Sequence, residues 1–356
     1  MAPSVSFLCG GDIALNRAAP PAGRPPLGRL APLFQKSDLA FANLEVPLSR
    51  RGRPAPEKII LRGPPEMARE LAAAGFDALS FANNHALDYG EEAFFDTLGL
   101  LAEAGVDAVG AGRSLAAARR AVLLRRRGLT VGVLAFSSVL PRGFAAGKSA
   151  ARGRSSAAGV NPLRARTAYR PARDLDEYPG TPPEIRTWAV AEDLRRMKRD
   201  VRKLRKAADL VIVNHHWGTS MVHETGAFQR EIARAAVGAG ADLVLGGHPH
   251  VIQGVEFHKG RPIVYSMGNL IFDFDIPFFT PATRQTFLFG CTLSKKGVED
   301  AYLLPCRCGV NAPPTLLSPR RGEGREIGAL LARLNAPFGA RLAPEGDRIR
   351  LLPPGE

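Results

Sequence analysis

Short apolar runs that stop abruptly on glycine or polar residues recur along the chain, separated by stretches with helical spacing. "VSFLCGGD" (5–12), "DLAFANLE" (38–45) and "FDALSFANNH" (76–85) read as buried strands. "PPEMARELAAAG" (64–75) opens on proline and closes on glycine, which are helix start and stop signals. "EEAFFDTLGLLAEAG" (91–105) reads as a second helix, followed by a strand at "VDAVGA". Residues 122–138 predict a hairpin around Gly128 or two adjacent strands. The charged stretch 184–208 predicts one continuous helix. After it, "DLVIVNHHWG" (209–218) and "DLVLGGHPH" (242–250) predict strand-plus-loop units on either side of a helix. Residues 261–269 and 286–306 predict later strands. Alternating strands and helices predict an α/β chain with helices packed on sheets.

Residues 141–184 break the pattern. They are rich in Gly, Pro, Ser and Arg with little periodicity, and predict a long surface loop or lid. Residues 1–275 are expected to form one domain carrying this insertion, and 276–356 to complete it. No run of 18 apolar residues occurs, so no transmembrane helix is expected. The N-terminal residues show no secretion signal, which makes a cytoplasmic location the expectation.

The formal charge of +14 comes mostly from arginine. It fits an anionic small-molecule or polymer partner, but equally a composition rich in Ala, Arg, Gly and Pro. No nucleic-acid-binding motif accompanies it, and no nucleic-acid partner is expected. Cys9 and Cys291 lie in apolar runs, and Cys306-Arg-Cys308 lacks metal-site spacing, so the cysteines are assigned no chemistry.

The polar residues with ligand chemistry collect at strand ends. Asp12 ends the first strand; Asn43 and Glu45 end the second; Asn83, Asn84, His85 and Asp88 follow the third. His215 and His216 close "DLVIV", and His248 and His250 follow "DLVL". In open α/β sheets, sites form beyond the carboxyl ends of strands. Taken singly, each of these residues is ordinarily a cap, a turn residue or a buried structural group. Five segments delivering carboxylates, amides and imidazoles to one edge point instead to metal binding. The ligand types suit Mn, Fe or Zn, and their number suits two divalent ions sharing a carboxylate. Arg17, close to Asp12, is a candidate grip for an anionic substrate, against an exposed surface charge.

The blocks "GGDIALNR", "FANLEVPLS", "FANNHALDYG", "VNHHWG", "GGHPHVIQGVE" and "IVYSMGNLIFD" resemble, in order, those of the CapA family of capsule and poly-gamma-glutamate synthesis proteins. That family in turn resembles the calcineurin-like metallophosphatases. The resemblance implies a four-layer fold, two facing β-sheets flanked by helices, with a dinuclear metal site at the strand ends. It implies that Asp12 and His250 hold one ion, that Asn84, His216 and His248 hold the other, and that Glu45 bridges them. It further implies His85 as proton donor or oxyanion stabiliser beside the leaving oxygen, oriented by Asp88. Asn43, His215 and Arg17 are expected to face substrate. Two departures stand out. Ala14 occupies the place of a first-block histidine, and Ser220 the place of an acid after "HWG", a role that Glu224 is the candidate to take over. The implied activity is metal-dependent hydrolysis of a phosphoester or amide-linked anionic substrate. The alternatives are an assembly factor that binds an acidic polymer with little catalysis, and a non-catalytic binding module.

Overall fold

The computed structural model describes residues 3–16, 26–147, 157–172 and 176–355. Two sheets dominate. In the larger, the strands Ser4–Ala14, Leu39–Leu44, Ala78–Ser80 and Asp107–Val109 lie side by side and parallel. Leu39–Leu44 is buried at every position, as a parallel strand covered on both faces must be. Beyond Ser4–Ala14 the sheet continues antiparallel through Gln285–Ser294, Gly297–Arg307, Arg348–Leu352 and Arg341–Glu345. Residues after 276 therefore build the same sheet as the N-terminal strand. The smaller sheet orders Val255–His258, Arg261–Val264, Leu243–Gly247, Leu210–His216, Leu129–Ser137 and Val122–Arg126. The hairpin at Gly128 forms as expected.

Side-chain alternation divides the smaller sheet's burial between two cores. Val131, Val133, Ala135, Leu210 and Ile212 share a core with Phe7, Phe41 and Phe289 of the larger sheet. Their neighbours Leu134, Phe136, Val211 and Val213 pack on the other face, against Met197, Val201 and Leu204 and against Ile232, Ala233 and Ala236. Those residues recur at three- and four-residue spacing on helices Ala191–Arg205 and Ala227–Ala239, as a buried helical stripe requires. Helices Met67–Ala73 and Gly90–Glu103 contribute Met67, Leu71, Phe94 and Leu101 to the first core. The arrangement is mixed α/β, with helices packed on sheets as the alternation predicts and two facing sheets as the resemblance implies.

The 141–208 region differs from expectation. Ala165–Arg170 and Glu184–Ala189 pair as an antiparallel ribbon, with Tyr169 opposite Ile185 and Arg166 opposite Trp188. The β-branched and aromatic residues of "EIRTWA" favour this state, and the helix begins only at Ala191. Segment 141–184 is thus not wholly irregular. Among the described residues, no helix is long and apolar enough to cross a membrane.

Ser4–Ala14 changes partner along its length. Residues 4–9 pair antiparallel with Gln285–Ser294, whereas Asp12, Ile13 and Ala14 pair parallel with Asn269–Phe272. The ladder is irregular between Cys9 and Asp12, where Gly10 and Gly11 lie. A Cβ on Gly11 would sit 1.9 Å from the Gly268 carbonyl oxygen. Gly11→Ala is therefore expected to destabilise the fold by roughly 1–3 kcal/mol or more, read as a lower urea midpoint at unchanged m-value.

Candidate metal centre

Glu45 stands at the middle of the strand-end cluster. Its backbone N–H donates to the Ile13 carbonyl at 2.8 Å, which ties the exit of Leu39–Leu44 to the first strand. Asn83 clasps the same exit by donating to the Leu44 carbonyl (2.7 Å) and to Asn43 Oδ1 (3.2 Å). Glu45 is fully buried, and neither carboxylate oxygen has a hydrogen-bond partner among the described residues. Its Oε1 lies 3.3 Å from His216 Nε2 and 3.9 Å from His250 Nε2. Burial pushes its carboxyl well above the usual range.

Asp12 faces Glu45 and is as deeply buried. One oxygen accepts from Asn43 Nδ2 (2.8 Å), the other from the His248 backbone N–H (2.9 Å). Burial, reinforced by the Glu45 charge, raises Asp12 to about 7 against the pull of those donors and His216. The Gly246-Gly247 pair has a steric cause. A Cβ on Gly246 would meet the Tyr265 carbonyl oxygen at 2.0 Å, and one on Gly247 would meet Asp12 Oδ1 at 2.6 Å. The chain then turns through His248 at φ +93° and His250 at φ +60°. Positive φ strains a non-glycine residue by about 1–3 kcal/mol and concentrates at functional sites.

The imidazoles converge. His216 Nε2 is 2.7 Å from Asn84 Oδ1, and the His216 ring centroid is 4.8 Å from that of His248. His250 Nδ1 donates to Asn269 Oδ1 at 3.0 Å, which turns its Nε2 toward Glu45. His248 Nε2 lies 3.3 Å from Ser220 Oγ, and its Nδ1 is buried without a partner. Burial lowers His216 to about 4 and His250 to about 3, and holds His248 well below the ordinary value. These rings are neutral near pH 7, the state in which an imidazole ligates metal.

Ligand atoms of Asp12, Glu45 and His216 lie within 4.8 Å of one another, and so do those of Glu45, His248 and His250. Glu45 belongs to both groups. The grouping pairs Asp12 with His216 and His248 with His250, which differs from the partition that the resemblance implies. The donor set fits divalent cations. Buried carboxylate oxygens and a buried imidazole nitrogen without partners are costly unless a cation meets them.

His85 and Asp88 form a dyad beside the cluster. Asp88 Oδ2 accepts from His85 Nδ1 at 2.7 Å and from the Leu61 N–H at 2.6 Å. Lys58 ion-pairs with the other Asp88 oxygen, and its Nζ lies 3.2 Å from His85 Nδ1. Burial lowers His85, and Asp88 works against that shift. Lys58 had no local signal as a site residue, and Asn269 lies in the block "IVYSMGNLIFD" but is not among the expected site residues. Each reaches the site only through a contact made in the fold.

His215 is not brought to the cluster. It is fully buried on the opposite face, its ring stacked on Trp217 (4.6 Å between centroids) and near Phe136 (6.0 Å). Its Nε2 lies 2.9 Å from Ser138 Oγ. Asn43 lies within the cluster, donating to Asp12, accepting from Asn83 and standing 3.4 Å from His216 Nδ1. Glu224 is exposed, and Ser220 is the residue beside His248. Arg17 lies outside the described residues.

Comparison with known proteins decides the family. The family described as "Bacterial capsule synthesis protein PGA_cap" matches residues 6–274. The chain belongs to this capsule synthesis family. It is 34% identical to a protein named "PGA biosynthesis protein CapA" from Bacillus subtilis (strain 168), over 77% of this chain and 62% of that one. It is 30% identical to "Capsule biosynthesis protein CapA" of Bacillus anthracis, over 68% and 53% respectively. A "Probable polyglutamine synthesis accessory protein" of Mycobacterium tuberculosis is 30% identical over 67% of this chain and 57% of its own. The chain thus spans little more than half the length of these capsule-family relatives. A crystal structure of a hypothetical protein from Thermus thermophilus superposes with TM-score 0.42 and 16% identity, over 84% of this chain and 99% of that one. That score is too low to carry an argument.

His215 makes a prediction independent of any ligand. Burial lowers it to about 3, so below pH 6.5 the unfolded chain takes up a proton that the folded chain refuses. Stability conferred by a neutral His215 is complete above that pH and is lost as pH falls toward 3. In His215→Gln, the slope of unfolding free energy against pH over this window is expected to flatten by up to about 1.4 kcal/mol per pH unit, read from denaturant titrations at each pH.

Proposed function

We propose that this chain is a metal-dependent hydrolase of anionic phosphoester or amide-linked substrates, acting in capsule or poly-glutamate metabolism. The observation that carries the reading is Glu45, fully buried at the centre of four other ligand side chains, with Oε1 3.3 Å from His216 Nε2 but no well-formed hydrogen bond to either oxygen among the described residues. Asp12, Glu45, Asn84, His216, His248 and His250 would hold the ions. Two divalent ions, when bound, supply Lewis-acid polarisation of the scissile group and activation of a water. The chain's own residues do the rest. Asn269 orients His250, and the His248 backbone N–H orients Asp12. Asp88 accepts the Nδ1–H of His85 and favours the doubly protonated ring, the form from which Nε2 would pass a proton to the leaving oxygen. Lys58, on the cleft wall, ion-pairs with Asp88 and holds it in place. The names of the relatives and the +14 charge support an acidic substrate.

A second reading, a polymer-binding assembly role with little turnover, draws on Ala14. This buried methyl offers no ligand where the resemblance leads one to expect an imidazole. The two readings separate in one assay series. Manganese-dependent cleavage of generic phosphomonoesters, phosphodiesters and γ-glutamyl amides is expected, with kcat reduced about 100- to 10,000-fold in His85→Asn. No turnover of any of these, with metal bound, would favour the assembly role.

A further inference from the structure

The cleft that opens onto the cluster has an apolar wall. Ile59, Leu61, Ile276, Phe278 and Phe279 line it, and Phe272 packs edge-on against His250. Ile59 is 43% exposed and Phe278 50% exposed. They come from separate segments, 51–62 and 273–280, yet both line this one cleft. Large apolar side chains left in water around a concave site mark a ligand contact, whereas scattered ones need no explanation.

The polar lining is sparse. Asn84, His85, Ser220, His248 and His250 form the floor, and among the described residues Lys58 is the one cation on the wall. Its ammonium is committed to Asp88, so it is not free to grip a second anionic group. Arg284 lies in a neighbouring cavity across the shared Phe272, Ile276 and Phe279 wall. The cleft therefore meets one anionic centre at its floor and offers hydrocarbon above it. Its volume is about 180 Å³. An apolar cavity of about 150 Å³ accepts benzene, so the space suits one ring-sized group.

We infer that the substrate carries an apolar, ring-sized group next to the bond that is broken, seated against Ile59 and Phe278. The inference rests on reading the cluster as the reactive centre, and it narrows the substrate class that this reading leaves open. A binding experiment tests it without requiring turnover. The full chain, with manganese present, is titrated calorimetrically with phenylphosphonate and with methylphosphonate, whose carbon–phosphorus bonds are not hydrolysable esters. Phenylphosphonate is expected to bind about tenfold tighter or more. Combining Ile59→Ser and Phe278→Ser is expected to bring the ratio within roughly threefold, whereas Phe278→Leu retains most of it. Tyr169→Ser, which removes an equally exposed ring from the 165–189 ribbon, is expected to leave the ratio intact. Equal affinities, binding of neither phosphonate, or a preference that survives the double substitution overturns the inference. A preserved preference without cleavage of any ester counts against the hydrolase reading alone.

Discussion

Everything in the site follows from taking lone pairs out of water. Asp12, Glu45, His216, His248 and His250 are all buried at the meeting of two sheets, and their ligand atoms crowd within a few ångströms. A carboxylate there, with neither oxygen bonded, is among the costliest groups a fold can bury. Protons lower that cost only in part, because the Asn43 and His248 donors beside the pair are already taken by Asp12. A divalent cation meets several lone pairs at once, which is why the donor set reads as a metal centre rather than as a hydrogen-bonded core. The same desolvation keeps the imidazoles neutral and ready to donate electron pairs.

The backbone is shaped to hold that crowding. The first strand leaves one partner and joins another at Gly10-Gly11, which carries Asp12 past Gly268 and up to Gly247. The Leu243–Gly247 strand ends on two glycines because the Tyr265 backbone and the Asp12 carboxylate occupy the space where side chains would go. His248 and His250 then accept left-handed backbone, and the fold offsets that strain with deep apolar burial on both faces of the smaller sheet. Outside the cluster, the basic side chains that set the net charge of +14 are, among the described residues, largely at the surface. The cleft itself is apolar above a polar floor, so surface charge bears on encounter with an acidic partner more than on grip at the reacting centre.

Much of this was legible in the sequence because the signals are local. Apolar runs that stop on Asp12, Glu45, Asn84, His216 and the His248-Pro249-His250 turn place ligand chemistry at strand ends without knowledge of the fold. Alternation along Val211, Val213 and His215, against Ile212, Asn214 and His216, also carries the fact that adjacent histidines face opposite ways. Reading the pair as one unit put His215 at the site wrongly. Lys58 was hidden and Asn269, though inside the block "IVYSMGNLIFD", was given no role, because both act through long-range contacts, with Asp88 and His250. The Glu184–Ala189 strand was masked by its charged continuation, whose helical pattern begins only after it.

The central claim is that Glu45 is a shared metal ligand, and metal binding itself is its most direct test. Manganese would be titrated calorimetrically into wild-type chain and Glu45→Gln under identical conditions, with unfolding followed on the same samples. The account predicts about two ions per wild-type chain and a stability gain that grows with free metal, near ~2.7 kcal/mol at a hundredfold excess over Kd, with both sharply reduced in Glu45→Gln. Wild-type chain that binds no metal, or Glu45→Gln that binds it equally well, would contradict the account.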